Sequence, residues 1–292
     1  MKTFGKVLFS ILTIVLVILA ILGISVWRIA DKFQEATNTK EEWKSSYGKI
    51  YKNLSYGSQE NQLYDLYIPA GTSPDKPQSL ILCVHGGGWS GGSRKEMDFA
   101  CKRYAKAGYI TATVEYSLLN ADKPEITMET MVDEIGMCVA ALKEELERRG
   151  YAVDKIALFG GSAGGHLALL YAYSRAEVSA IPIAFVAVQS APVGVDYGAE
   201  GISDEVVAAA KSASPIQFVD ENTVPTLLCH GEKDIIVPYE GTMALIDKLK
   251  SNGIPYEFVN YPNSNHTLES DPESHAEYHK QMLVFCKTYF GY

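Results

Sequence analysis

Between Lys155 and Ala172 the chain runs from an apolar stretch through a serine set among glycines into a second apolar stretch. The order is Lys155-Ile156-Ala157-Leu158-Phe159-Gly160-Gly161-Ser162-Ala163-Gly164-Gly165-His166, then Leu167-Ala168-Leu169-Leu170-Tyr171-Ala172. No other stretch limits the fold so tightly. A strand that must reverse into a helix within a few residues needs backbone angles that glycine tolerates best. Gly160 and Gly164 flank the turn and keep side chains out of it. The pattern predicts a buried strand whose tip presents the Ser162 hydroxyl, the nucleophile elbow G-x-S-x-G. The pentapeptide alone arises by chance, so the strand before it and the helix after it carry the reading.

Other stretches fit a sheet around that elbow. Leu80-Ile81-Leu82-Cys83-Val84 is short, wholly apolar and bounded, as a parallel strand buried on both faces should be. Residues 49–54 and 63–68 read as early edge or hairpin strands, the second closed by Pro69 and Gly71. Further strands are predicted over 109–114, 183–188, 226–229 and 256–259. Over 130–150, Val132, Ile135, Val139, Leu142 and Leu146 repeat at three and four residues, with charged residues between them and Gly150 at the end. That is an amphipathic surface helix.

At the carboxyl end of the 80–84 strand stands His85-Gly86-Gly87-Gly88-Trp89. Three glycines there leave backbone N–H groups bare, which suits an oxyanion binder whose donors must be aimed where charge develops. An ordinary glycine turn or a phosphate loop is the plainer alternative. A dinucleotide fingerprint is not matched, because the glycine spacing differs and no acidic residue closes a strand about 20 residues on.

The pair His85-Gly86-Gly87-Gly88-Trp89 and Gly160-Gly161-Ser162-Ala163-Gly164-Gly165-His166 resembles the α/β-hydrolase fold. Within it, the chain is similar to carboxylesterases related to hormone-sensitive lipase and to bacterial acetyl- and feruloyl-esterase-like enzymes. The resemblance runs from about Leu63 to the carboxyl end. It implies an α/β architecture with a mostly parallel eight-stranded sheet and helices on both faces. It also implies oxyanion donors at Gly87, Gly88 and Ala163. Glu115-Tyr116-Ser117-Leu118 stands where relatives commonly carry Asp-Tyr-Arg-Leu, so the bracing arginine of that motif is replaced by Ser117.

A serine hydroxyl needs a base to take its proton and a carboxylate to orient that base. In this fold the acid and then the histidine follow the serine, each at a strand end. His230-Gly231-Glu232-Lys233-Asp234 follows the 226–229 strand, and Asp234 matches the acid, with Glu232 too early in the turn. His266, in Pro262-Asn263-Ser264-Asn265-His266 after the last strand, matches the base. Relatives often carry glycines beside this histidine, where Asn265 and Thr267 stand here.

The other histidines read as structural. His85 braces the oxyanion loop, His166 packs at the start of the elbow helix, and His230 sits at a strand end. His275 and His279 are spaced i, i+4 but enclose Ala-Glu-Tyr rather than the glutamate pattern of zinc hydrolases. No metal and no organic cofactor is expected. The five cysteines, Cys83, Cys101, Cys138, Cys229 and Cys286, are scattered without C-x-x-C spacing, so no disulfide framework is expected either. A net charge of −9 without a basic stripe argues against nucleic acid.

Residues 7–27 carry no charge and are almost all aliphatic or aromatic, long enough for a bilayer helix of about 20 residues. The domain expectation is therefore a membrane anchor over 1–30, a polar stem over 31–48 and a catalytic domain over 49–292. The catalytic domain is expected outside the cytoplasm, with secretion after signal cleavage as the alternative. Between 189 and 224 no long amphipathic insert is visible, so any cap is small, and Trp89 with the 193–219 stretch is expected to shape the pocket.

The function expected from all this is a serine carboxylic-ester hydrolase. Ser162 is the nucleophile, His266 the base and Asp234 its orienter, acting on short-chain esters or acyl groups pendant on a polysaccharide. A peptide or amide hydrolase, such as an arylformamidase, could use the same three residues. A non-catalytic binding protein on this scaffold is the remaining alternative. Against a full oligopeptidase, the sequence offers no room for a propeller ahead of the elbow.

Overall fold

The computed structural model describes residues 42–120, 122–194 and 212–291. The expected anchor at 7–27 and most of the 31–48 stem lie outside the described residues. Among the described residues no helix is long and apolar enough to cross a membrane. The described residues begin within the expected stem, and there Trp43 meets Tyr67 edge-on at 6.3 Å between ring centroids.

Eight strands form one sheet: β1 Gly48–Ser55, β2 Leu63–Pro69, β3 Gln78–Val84, β4 Ile110–Val114, β5 Val153–Gly161, β6 Ile183–Gln189, β7 Thr226–Gly231 and β8 Tyr256–Tyr261. Their spatial order is β1-β2-β4-β3-β5-β6-β7-β8. β2 is antiparallel to both β1 and β4, and every pairing from β4 through β8 is parallel. This is the mostly parallel eight-stranded sheet expected above. Every residue of β3 and of β4 is buried, which is why 80–84 reads as an unbroken apolar run, while Gln78, Ser79, Thr111 and Thr113 are buried polar residues.

Among the described residues five helices cover the two faces: α1 Asp98–Lys106, α2 Met128–Arg148, α3 Ser162–Ser174, α4 Tyr239–Ser251 and α5 Pro272–Phe285. Alternate strand residues go to opposite sides. Leu80, Leu82 and Val84 pack with Ile135, Leu142, Leu167 and Leu249, from α2, α3 and α4. Ile81 and Cys83 pack with Cys101, Tyr104, Tyr278 and Met282, from α1 and α5. α2 buries Val132, Ile135, Val139, Leu142 and Leu146, the stripe read from the sequence. All five cysteines are buried and free.

One buried carboxylate broke the periodic reading. Glu134, on the core side of α2, accepts from Ser117 N at 2.6 Å, Ser117 Oγ at 2.8 Å and Gln62 Nε2 at 3.1 Å. Those donors satisfy it where an unpartnered carboxylate would cost several kcal/mol, roughly 2–7 even for a neutral polar group. Glu115 of the Glu115–Leu118 motif, where Ser117 replaces the relatives' arginine, is met by an arginine from outside the motif. Arg94 Nη1 donates to Glu115 Oε2 at 2.8 Å, and Arg94 Nε to the buried Asp65 at 3.3 Å.

Candidate active site

β5 lies in the middle of the sheet, between β3 and β6, and ends on the elbow. Gly160 and Gly164 keep side chains out of the turn, as the sequence indicates, but they do not supply special backbone angles. Neither Gly160 nor Gly164 has a positive φ, and the left-handed residue is Ser162 itself, at φ 51°. The glycines are required by space. A Cβ on Gly164 would stand 2.3 Å from Val84 O and 2.4 Å from His85 O, and one on Gly160 would stand 2.6 Å from Gly164 O. Strand β3 and the start of α3 approach so closely that only hydrogen fits between them.

The His85–Trp89 loop lies across the elbow. A Cβ added to Gly86 would come within 3.5 Å of Ser162 Cβ. Gly87, Gly88 and Trp89 follow with φ of 113°, 60° and 60°, a left-handed run that turns the loop back on itself. Gly91 N donates to Gly87 O at 2.9 Å and Leu119 N to Trp89 O at 2.8 Å. The Tyr116 hydroxyl donates to His85 O at 2.7 Å, and its ring stacks on the His85 imidazole at 4.2 Å. His85 Nδ1 lies 2.8 Å from Gly86 O, so that nitrogen carries the hydrogen. His85 Nε2 stands 3.3 Å from Glu115 Oε1. Burial pushes the Glu115 carboxyl up, but the His85 and Arg94 contacts outweigh it and hold it below the usual range. Among the described residues, none of the backbone hydrogen bonds of turns and loops uses the N–H of Gly87 or Gly88, and Ala163 stands in the first turn of α3.

The acid and the histidine arrive on loops after β7 and β8. His266 Nε2 is 2.9 Å from Ser162 Oγ, and His266 Nδ1 is 2.7 Å from Asp234 Oδ2. Asp234 Oδ1 accepts from Ile236 N at 2.8 Å and Val237 N at 2.9 Å. Its Oδ2 takes a further contact from His230 Nε2 at 3.0 Å. Burial raises the Asp234 carboxyl, but the His230 and His266 hydrogen bonds and the backbone donors overcome that and hold it far below the usual range. An ionised carboxylate only accepts, so His266 carries its hydrogen on Nδ1 and turns the lone pair of Nε2 toward the Ser162 hydroxyl. That is the protonation pattern a general base for serine requires.

Several supports were not visible in the sequence. His230 fixes the acid as well as ending a strand: Thr242 Oγ1, 2.7 Å from Nδ1, leaves Nε2–H for Asp234. The spacing of His230 and Asp234, four residues, was the only available signal. Asp271 anchors the histidine loop, accepting from Ser264 Oγ at 2.6 Å and Asn263 N at 2.9 Å. Asn265 and Thr267, which replace the relatives' glycines, close the loop through Asn265 Oδ1, which accepts from Thr267 N at 3.0 Å. The left-handed position falls on Leu268, at φ 60°. Glu232, the discarded acid, is exposed and accepts from Asn260 Nδ2 at 2.6 Å.

His279 Nδ1 meets the Tyr104 hydroxyl at 2.9 Å, and His279 Nε2 contacts the Arg103 guanidinium. No group of three or more histidine, cysteine or carboxylate side chains among the described residues could hold a metal. Of the stretch expected to form a small cap, residues 195–211 lie outside the described residues. The flanking chain returns as a tight turn, Pro215–Phe218, with Ile216 N donating to Val193 O at 3.0 Å.

Comparison with known proteins gives consistent results. The model of the prolyl oligopeptidase family matches residues 126–292, which include Ser162, Asp234 and His266. The esterase LipQ of Mycobacterium tuberculosis is 27% identical over 240 residues, covering 73% of this chain, and the chain spans 55% of that relative's length. A kynurenine formamidase of Danio rerio is 30% identical over 118 residues, 40% of this chain and 37% of its own. Among solved structures, esterase B of Lactobacillus rhamnosis superposes with a TM-score of 0.69 at 22% identity, over 89% of this chain and 91% of that one. That likeness shows the α/β-hydrolase fold.

Proposed function

Because the chain belongs to the prolyl oligopeptidase family, the open question is which acyl bond it opens, and we propose that it is a serine carboxylic-ester hydrolase. Ser162 Oγ attacks the ester carbonyl as His266 Nε2 takes its proton. Asp234 holds the imidazole and stabilises the imidazolium. The oxyanion is met by the N–H groups of Ala163, Gly87 and Gly88, each such donor contributing about 3 kcal/mol at the transition state. His266 then returns its proton to the leaving alcohol, and water activated by the same base releases the acid.

The observation that carries this reading is the relay of 2.7 Å and 2.9 Å ending on a left-handed serine. The esterase relative supports the ester bond in particular. The absence of a long amphipathic insert over 189–224 of the sequence supports a small cap, which favours short acyl chains or acyl groups pendant on a polysaccharide. The formamidase likeness supports a second reading, amide hydrolysis on the same residues.

A fluorophosphonate probe and a chain-length series of p-nitrophenyl esters test the proposal. The protein is expected to label at Ser162 and to hydrolyse acetate and butyrate faster than decanoate. Matched ester and amide substrates then separate the two readings, the ester turning over faster. Absence of label together with absence of turnover would sink the enzyme reading and leave the binding-protein alternative.

The uncharged run at 7–27 supports a membrane-anchored protein with its catalytic domain on the far side of the membrane. Full-length protein is expected in the membrane fraction, resistant to carbonate extraction, and a chain lacking residues 1–30 in the soluble fraction. Full-length protein found soluble with an intact amino terminus would overturn the anchor. A shortened amino terminus would favour the cleaved signal.

A further inference from the structure

One tie of the oxyanion loop crosses to the elbow helix. Trp89 Nε1 lies 3.2 Å from His166 Nδ1, with the two rings edge to face at 5.3 Å between centroids. On the other side of the imidazole, His166 Nε2 is 2.7 Å from the carbonyl oxygen of Ala213. These partners fix the tautomer. An indole N–H only donates, so Nδ1 holds the lone pair, and a backbone carbonyl only accepts, so Nε2 carries the hydrogen. Both bonds need a neutral ring, and burial lowers the His166 pKa to about 4, against a smaller opposing effect from Ala213. With both nitrogens engaged, His166 has none left to act as a base.

The loop has a reason to need this tie. Gly87, Gly88 and Trp89 all hold positive φ, and Trp89 alone of the three carries a Cβ that resists it. A side chain in that region persists only where its surroundings over-determine it. Trp89 is held at its carbonyl by Leu119 N and at its indole by His166. Releasing the indole lets the run relax toward ordinary angles, and the peptides of Gly87 and Gly88 rotate with it. Donors that must stand within hydrogen-bond reach of a developing oxyanion lose most of their effect when turned away.

We propose that His166 is the positioning residue of the oxyanion loop: its Nδ1 holds the Trp89 indole, and through it the Gly87–Trp89 run, over Ser162, while its Nε2–H ties the same assembly to the chain entering the Pro215–Phe218 turn. The proposal rests on the hydrolase reading of Ser162 and goes beyond it, because neither residue touches the reacting atoms. The tie acts on a charge present only in the transition state, so its loss lowers kcat and leaves KM near the wild-type value.

Side-chain geometry separates the two duties. In His166→Asn the amide oxygen can take the place of Nδ1 and accept from the indole, while the Ala213 bond is lost. In His166→Gln the amide nitrogen can take the place of Nε2 and donate to Ala213, while the indole loses its acceptor. Trp89→Phe keeps a ring and removes the donor. Full-length protein in detergent is assayed on p-nitrophenyl butyrate, with thermal unfolding recorded for each variant.

His166→Gln and Trp89→Phe are each expected to lower kcat about 30-fold, part of the roughly 10²–10³-fold that loss of a whole donor costs. The double variant should be no slower than either single one, and His166→Asn, which keeps the indole bond, should lose clearly less kcat than His166→Gln. Unchanged kcat in His166→Gln, equal losses in the Asn and Gln variants, or multiplying losses in the double variant would each overturn the proposal. If His166→Gln fails to fold, Trp89→Phe decides alone: a full kcat overturns the tie and a fall in kcat at constant KM supports it. Fluorophosphonate labelling of wild type keeps the two ideas apart. An unlabelled wild type overturns the hydrolase reading, whereas a labelled wild type with undiminished Trp89→Phe overturns only the tie.

Discussion

Ser162→Ala is expected to lower kcat on a p-nitrophenyl ester by about 10⁴- to 10⁶-fold while KM moves little. The size follows from the division of labour in the site. In the proposed mechanism the hydroxyl is the bond-forming group, and His266 Nε2 stands 2.9 Å from it, placed to take its proton. What survives in the variant is oxyanion and binding stabilisation acting on attack by water. The fold should not suffer, since alanine and serine meet the same resistance at φ 51°. Ser162→Gly, which relieves that resistance, should be equally inactive and about 1 kcal/mol more stable. Activity assays paired with guanidinium unfolding check both halves. An undiminished rate in the alanine variant would refute Ser162 as nucleophile.

Asp234→Asn is expected to cost about 10⁴-fold in kcat, through a tautomer rather than a lost contact. The carboxylate accepts from two backbone N–H groups on one oxygen and from two imidazoles on the other. An asparagine that keeps its oxygen on Ile236 and Val237 turns its NH₂ group toward His230 and His266. His266 must then accept at Nδ1, its hydrogen moves to Nε2, and a donor faces the serine that needs a base. Stability should also change. The Asp234 carboxyl is held below its unfolded value near 3.9. The unfolded chain therefore binds the proton first, and this stabilisation is complete above about pH 4 and lost as pH falls through the folded pKa. The Asn variant should be less stable at pH 7 and lose less between pH 5 and pH 3. Equal acid sensitivity in the two proteins would contradict this account.

The arginine brace shows how function-bearing structure hides from a linear reading. In the sequence, Ser117 stands where relatives carry a bracing arginine. In three dimensions Arg94, from a different loop, reaches Glu115, while Ser117 pairs with the buried Glu134. Neither partnership has a spacing that sequence could flag, because each joins segments that meet only after the sheet forms. His230 and Asp271 are similar. Each polar residue could as well have faced solvent, and only burial makes its hydrogen bonds decisive.

The elbow glycines mark the same boundary from the other side. The sequence correctly demanded glycine around Ser162 to keep side chains out of the turn, but the groups that need the room appear only in the tertiary structure. The need is for room beside Val84 and His85, and the left-handed angle belongs to the serine.

By itself, then, the sequence determined the strands, the helix periodicity and the order of Ser162, Asp234 and His266. Those are properties of local apolar runs and of turn residues, which act over a few positions and leave a readable pattern. The tertiary structure decided how loops more than a hundred residues apart come into hydrogen-bond contact and which imidazole holds which tautomer. It also decided why Trp89 can rest at a positive φ. Hydrogen-bond geometry depends on distances in space, and a chain records those only when it folds.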